Sequence, residues 1–307
     1  MKVSRKMAIL IGIVVVLLVG LGAVLYVARI ARGQALSWVH PPRNYPSKTP
    51  DDAGLANWED VTFDSTDGLK IAAWFIPAQT DSKDGATLIL VHGLSANRGE
   101  MLNRGEILAR NGYHTLLIDT RDHGDSDGTA TTLGALEVND VRGALNYLTT
   151  RAEVNAEKIG ILGHSSGGAT AIVSAAQIPE LRVIVSESAY SSVFDMAVPV
   201  VTALSGRPPF PSTSVVLWFM DQETGAPVSA VSPMMDAAKL APRPLLVIHG
   251  EKDDLLDVSH SQRIFDAAGE PKDRYLVANA GHIDIVEADP AEYERRVVAF
   301  LDEYLVG

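Results

Sequence analysis

The 307-residue chain has no cysteine. That excludes disulfides, thiolate metal sites and thiol nucleophiles, and a chain able to bury a large core needs no such staples. H-E-x-x-H, G-x-G-x-x-G and the P-loop are all missing from the sequence, so zinc-peptidase and nucleotide chemistry lack their usual carriers. Positive charge is in short supply: 26 Lys and Arg stand against 38 Asp and Glu, a formal net charge of −12. Phosphate backbones would be repelled, and no nucleic-acid partner is expected. The Asp-rich stretch 119–127 has the look of a calcium loop, but EF-hand spacing would put His123 first and Gly134 twelfth, neither of them a ligand. No metal and no cofactor are expected. Internal repeats and low-complexity tracts are absent as well.

Residues 7–28 carry no charge and are mostly Ile, Leu, Val, Gly and Ala. About 22 helical residues rise roughly 33 Å, enough for a bilayer core of about 30 Å. Lys2, Arg5 and Lys6 precede the run, and Arg29 and Arg32 follow it. A cleaved signal peptide is the alternative, with small residues flanking Arg32 at Ala31 and Gly33, but its apolar region is typically shorter, about 7–15 residues. Residues 1–33 therefore read as a single-pass membrane anchor. The flanking charges only slightly favour a cytoplasmic N-terminus, which would put the rest of the chain outside the cytoplasm. Residues 34–58, with Pro41, Pro42, Pro46 and Pro50, read as an extended tether.

The domain, 59–307, opens with a hairpin signal: Val61 and Phe63, a Thr66-Asp67-Gly68 turn, then Leu69, Ile71 and Trp74. Short apolar runs at 87–91, 115–118, 159–162, 183–185, 245–248 and 275–277 then alternate with helical spacing at 100–110, 136–148 and 167–176. A closing helix is read over 292–304. Continuous apolar strands alternating with helices predict an α/β fold, a mostly parallel sheet covered on both faces. The stretch of about 191–230 breaks the alternation and reads as a small cap insertion over one end of the sheet.

Gly163-His164-Ser165-Ser166-Gly167 fits G-x-S-x-G between an apolar strand and a small-residue helix. Such a turn holds a serine hydroxyl above the sheet. The hydroxyl needs a base, and in this arrangement the chain order is Ser, acid, His. His282 follows the last strand. Asp253, Asp254 and Asp257 lie after the preceding one, with Asp253 favoured by loop position. His40, His114 and His260 read as ordinary surface or core histidines. Two backbone amides are expected to hold an oxyanion: Ser166, next to the nucleophile, and Leu94, in the His92-Gly93-Leu94 loop. His92 is expected to order that loop.

These residues resemble the α/β-hydrolase superfamily, in its serine-hydrolase branch of esterases, lipases and serine aminopeptidase-like enzymes. The resemblance covers about 61–305. It includes the loop from Asp119 to Gly128, similar to the family's D-x-R-G-H-G-x-S-x-G with Asp122 where glycine is usual, and Val231-Ser232-Pro233. It implies an eight-stranded sheet, no cofactor and the Leu94 oxyanion amide. The expected function is cleavage of a carboxylic ester or related acyl bond in a small-molecule or lipid substrate. A peptidase with the same triad is the nearest rival, and a non-catalytic binding protein on the same fold the remoter one. Phe210, Trp218 and Phe219 of the insertion would line an apolar pocket or simply pack the cap.

Overall fold

The computed structural model describes residues 4–206 and 208–307. Lys2, one of the charges flanking the apolar run, and Arg207, inside the insertion, lie outside the described residues.

Eight strands form one sheet: β1 (Glu59–Asp64), β2 (Lys70–Ile76), β3 (Thr87–Val91), β4 (His114–Ile118), β5 (Ile159–His164), β6 (Ile184–Glu187), β7 (Leu245–Gly250) and β8 (Lys272–Val277). Their spatial order is β1-β2-β4-β3-β5-β6-β7-β8. β1 and β2 run antiparallel as the expected hairpin, and the remaining strands are parallel. Side chains alternate between two buried layers. Ile89 and Val91 of β3 face one cluster, while Leu88 and Leu90 face the other. A strand buried on both faces reads as an unbroken apolar run, which is why these strands were visible in the sequence.

The first layer receives α3 (Glu137–Leu148), α4 (Ser166–Gln177) and α8 (Ser259–Ala267). The second receives α2 (Leu102–Arg110), α9 (Ile285–Ala288) and α10 (Pro290–Leu301). Between β6 and β7 the insertion folds into α5 (Val193–Ser205) and α6 (Pro209–Thr224), followed by α7 (Pro233–Ala237). Ser192 caps α5 by accepting the Asp195 amide at 3.0 Å.

The N-terminal segment departs from the sequence reading. A single helix, α1, runs Arg5–Val39, past the predicted anchor limit at residue 33 and into the predicted tether. One 18-residue window has a mean hydropathy of 3.1 and is not buried, so length and composition suffice to cross a membrane. The last turns behave differently. Ala31, Ala35 and Val39, at i, i+4 and i+8, are buried in the core layer, and α1 packs on α6. Nor is the rest of the predicted tether free. Leu55 and Pro50 are buried, and Arg43 donates to the Gly124 and Gly128 carbonyls and to Asp122 Oδ1 at 3.1–3.2 Å. The reason is an apolar stripe of small residues on α1 that fits closely against the cap, and a guanidinium whose donors match a ring of loop carbonyls.

Candidate active site

Ser165 sits between β5 and α4 with φ 55° and ψ −118°, a backbone region costly for a residue with a side chain. The turn is locked by close packing. A Cβ on Gly163 would lie 2.1 Å from the Gly167 carbonyl oxygen, and one on Gly167 would lie 2.1 Å from that of Val91. Glycine at both positions is thus a steric requirement of the elbow. The Ser165 amide donates to the Glu187 carbonyl at 2.8 Å, tying the elbow to β6.

Three side chains from separate loops meet here. His282 Nε2 lies 2.9 Å from Ser165 Oγ, and His282 Nδ1 lies 2.7 Å from Asp253 Oδ2. The Asp253 carboxylate is fully buried. Its Oδ1 accepts the Leu255 and Leu256 amides at 3.0 and 2.8 Å, and His249 Nε2 lies 3.2 Å from Oδ2. Burial works against the charged form, but the His249, His282 and Leu256 donors outweigh it and hold the carboxyl well below its usual range. Asp254 and Asp257 are exposed, and the carboxylate that bonds His282 is that of Asp253.

Ser166 is the first residue of α4, so its amide has no intrahelical acceptor. It lines a cavity of about 320 Å³ together with Leu94, Ser165 and His282. The loop bearing Leu94 is braced from behind. His92 Nδ1 donates to the Gly93 carbonyl at 2.7 Å, and His92 Nε2 accepts the Thr120 amide at 3.1 Å. The ring therefore has the Nδ1–H tautomer and is occupied at both nitrogens. His123 accepts the Ser95 amide, and burial, reinforced by the neighbouring His92, pushes it down to about 4. Asp122 adopts φ 61°, a left-handed conformation that favours glycine and that aspartate tolerates better than most residues. Its carboxylate is bound by Arg43.

The remaining histidines are engaged elsewhere. His114 accepts the Ala78 amide, His260 accepts the Ser191 amide, and His40 lies 3.4 Å from Glu223. Sequence reasoning did not find the walls of the cavity. Trp38 of α1, Leu133, Tyr190, Met196 and Val200 form them, with Leu255 and Ile283 exposed at the rim. Phe210, Trp218 and Phe219 do not reach it. Phe210 and Phe219 border α1, and Trp218 is exposed and packs edge-on against Phe219. Also missed were Glu100 and His164, which line the cavity. His164 was visible only as the variable position of the motif. Among the described residues no His, Asp and Glu cluster is arranged to hold a metal ion.

An eight-stranded, mostly parallel sheet with such a turn after β5 defines a hydrolase of the α/β-hydrolase superfamily, in its serine-hydrolase branch. The chain belongs, within that superfamily, to the family described as X-Pro dipeptidyl-peptidase (S15 family), whose model matches residues 45–202. A second model, BAAT/acyl-CoA thioester hydrolase C terminal, matches 141–282. Among curated proteins, YfhR of Escherichia coli (strain K12) is 28 % identical over 261 residues, covering 82 % of this chain and 84 % of its own. Rv2307c of Mycobacterium tuberculosis (strain H37Rv) is 25 % identical, with 78 % and 79 % covered. Among solved structures, the Pyrococcus furiosus esterase Pf2001 superposes with a TM-score of 0.69 at 25 % identity, over 86 % of this chain and 99 % of that one. Est1E of Butyrivibrio proteoclasticus, solved with ferulic acid, shares the fold at TM-score 0.64 and 17 % identity, over 80 % and 100 %.

Proposed function

We propose that the protein is a serine hydrolase that cleaves a carboxylic ester or related acyl bond through an acyl-enzyme. The observation that carries this reading is the continuous hydrogen-bonded line from Ser165 Oγ through His282 to the buried Asp253, at the floor of an apolar cavity. Ser165 attacks the carbonyl carbon while His282 Nε2 takes its proton. The tetrahedral oxyanion is held by the Leu94 and Ser166 amides. His282 then passes the proton to the leaving group, and a water activated by the same imidazole releases the acid. Asp253 keeps the ring in the Nδ1–H tautomer and stabilises its charged form.

The description of the matched family favours a peptidase, which is the second reading. Capture of a substrate amino terminus needs a carboxylate with a free acceptor. Glu100 is the carboxylate lining the cavity, and each of its oxygens already accepts one bond, from the Gly93 amide and from His164, so its charge is already paired. With its other walls mainly apolar, the cavity suits an acyl group better. Esterase neighbours and the acyl-thioester hydrolase model agree with that choice.

The uncharged run of α1 supports an anchor that crosses the membrane once, and the slight excess of positive charge before the run is the ground for placing the hydrolase domain outside the cytoplasm. A fluorophosphonate probe tests the chemistry: it should label wild type at Ser165 and leave Ser165→Ala unlabelled, with ester turnover lost in the same variant. Labelling that survives the substitution refutes the assignment. Wild-type hydrolysis of short aminoacyl-prolyl amides in preference to p-nitrophenyl butyrate would establish the second reading instead.

A further inference from the structure

His164 is almost fully buried beneath the elbow and meets only acceptors. Its Nε2 lies 2.8 Å from the main-chain carbonyl of His282, and its Nδ1 lies 3.2 Å from Glu100 Oε1. A carbonyl has no proton to give, and neither has an ionised carboxylate, so both ring nitrogens must donate. Two simultaneous donations require an imidazolium. The other oxygen of Glu100 accepts the Gly93 amide at 2.6 Å, one residue before Leu94. A chain of three bonds thus joins the oxyanion loop after β3 to the backbone of the residue that contacts Ser165 Oγ.

We propose that Glu100 and His164 form a charged positioning pair that fixes the Leu94 amide and His282 in one frame. This rests on the hydrolase reading for its consequences in turnover, but not for its own existence. Neither residue touches the reacting atoms. The rings of His164 and His282 lie 5.2 Å apart, so the pair acts through the main chain and not by proton relay. The electrostatics agree with the geometry. Burial disfavours the Glu100 charge, but the hydrogen bond and charge of His164 outweigh it and hold the carboxyl at about 2. Burial likewise disfavours a charged His164, and Glu100 more than compensates, raising it. Arg104 opposes and Glu187 supports that charge from α2 and β6, and His92 and His282 flank the pair. Arg104 and Glu187 are themselves paired at 2.8 Å, which leaves Glu100 as the direct counter-ion.

Deprotonating His164 would turn a lone pair towards the Glu100 carboxylate and open the chain at its centre. Glu100→Gln separates geometry from charge. Its oxygen still accepts the Gly93 amide, while its NH2 donates to a neutral His164 that keeps its Nε2–H on His282. Glu100→Ala removes both links. Oxyanion donors contribute about 10²–10³ in kcat when lost outright, so a displaced donor should cost less. With p-nitrophenyl butyrate, Glu100→Ala should lower kcat about 10- to 100-fold with KM within about threefold. Glu100→Gln should recover most of that loss. Wild-type kcat should also fall on the alkaline side of the pH profile, as His164 loses its proton, and Glu100→Gln should lack that limb.

Nitrogen chemical shifts of 15N-histidine-labelled protein, with His164 assigned by its loss in His164→Gln, read the charge without reference to turnover. Wild type should give an imidazolium at neutral pH and Glu100→Gln a neutral ring. A neutral His164 in wild type overturns the proposal. So does an unchanged kcat in Glu100→Ala, or an alkaline limb that persists in Glu100→Gln. A cationic His164 in a protein that neither hydrolyses the ester nor takes the fluorophosphonate would refute the hydrolase reading while leaving the charged pair standing.

Discussion

Removing residues 1–28 should leave a stable, active domain, whereas removing residues 1–40 should damage it. The shorter deletion takes away the exposed apolar run and keeps Ala31, Ala35, Trp38 and Val39 on a short helix against α6. The longer one strips all four. Val39 is 0 % exposed and Ala35 is 1 % exposed. Full burial of a valine contributes about 1.5–3 kcal/mol, and each buried alanine methyl adds roughly 0.8 kcal/mol. Also lost are the Thr131 amide's bond to the Val39 carbonyl at 2.9 Å and the His40 Nδ1 bond to the Thr129 carbonyl, about 1 kcal/mol each. The sum, about 5 kcal/mol, corresponds to a Tm drop of roughly 10–20 °C for a domain of this size. Trp38 is also part of the cavity wall, so KM for p-nitrophenyl butyrate should rise with kcat less affected. Thermal unfolding and steady-state kinetics on the two truncations decide the matter. Matching Tm and KM values would mean that the end of α1 does not pack as described.

Asp253→Asn should lower kcat by about 10⁴, the scale set by tautomer loss in such triads, while Asp254→Asn, on an exposed side chain, should stay within about threefold; the reverse ranking would move the acid by one position. Met196→Ala and Val200→Ala should raise KM for a long-chain ester more than for a short one, and Trp218→Ala, outside the cavity, should do neither; equal losses on both esters with lower Tm would reduce the first two to packing. The charged pair predicts a stability window. Glu100, held down at about 2, contributes fully above its unfolded value near 4.5 and loses its contribution as pH falls through about 2. His164, raised, contributes fully below 6.5 and loses it as pH rises through its folded value. The Tm difference between wild type and Glu100→Gln should therefore be widest between about pH 4.5 and 6.5, worth about 3 kcal/mol at most. A difference independent of pH refutes the ionic account.

The sheet was legible because burial on both faces favours apolar residues at successive positions, and β3 matches its run residue for residue. Legibility failed where burial is one-sided. The edge strand β8 starts at Lys272, three residues before its apolar run, because Lys272, Asp273 and Arg274 are charged and none of them is buried. Helix α8 was missed altogether: only His260, Ser261 and Ile264 face inward, and two of those three are polar. Ser165 was proposed from its motif and His282 from its place after the last strand, whereas chain order alone did not choose among Asp253, Asp254 and Asp257. Each of these positions follows a strand of the same parallel sheet and so emerges on the same edge. Glu100 and His164 offered no such signal. They are 64 residues apart, and what joins them is the proximity of the β3 and β5 loop ends, which exists only in the folded sheet.

The predicted anchor boundary shows why charge is a poor guide to where a helix stops. The sequence reading ended the anchor at residue 33, just past Arg29 and Arg32, which follow the uncharged run. Charge governs where a helix leaves a membrane, not whether the backbone stays helical. The residues from Gln34 to Val39 include no proline or glycine, so nothing in the chain opposes continued i→i−4 bonding. Proline does oppose it. Pro41 clashes with the helical conformation of the residue before it, and His40 accordingly leaves the helix at φ −127° and ψ 66° while its amide closes the last turn on Leu36. Two different boundaries therefore lie on one helix: the end of the apolar run near residue 28 and the end of the helix at Val39. The 11 residues between them rise about 16 Å. They carry the helix out of any bilayer it crosses and onto the cap, where Trp38 becomes a wall of the cavity beside Ser165. That connection makes the cut at residue 28 or at residue 40 a test of the architecture and not a choice of convenience.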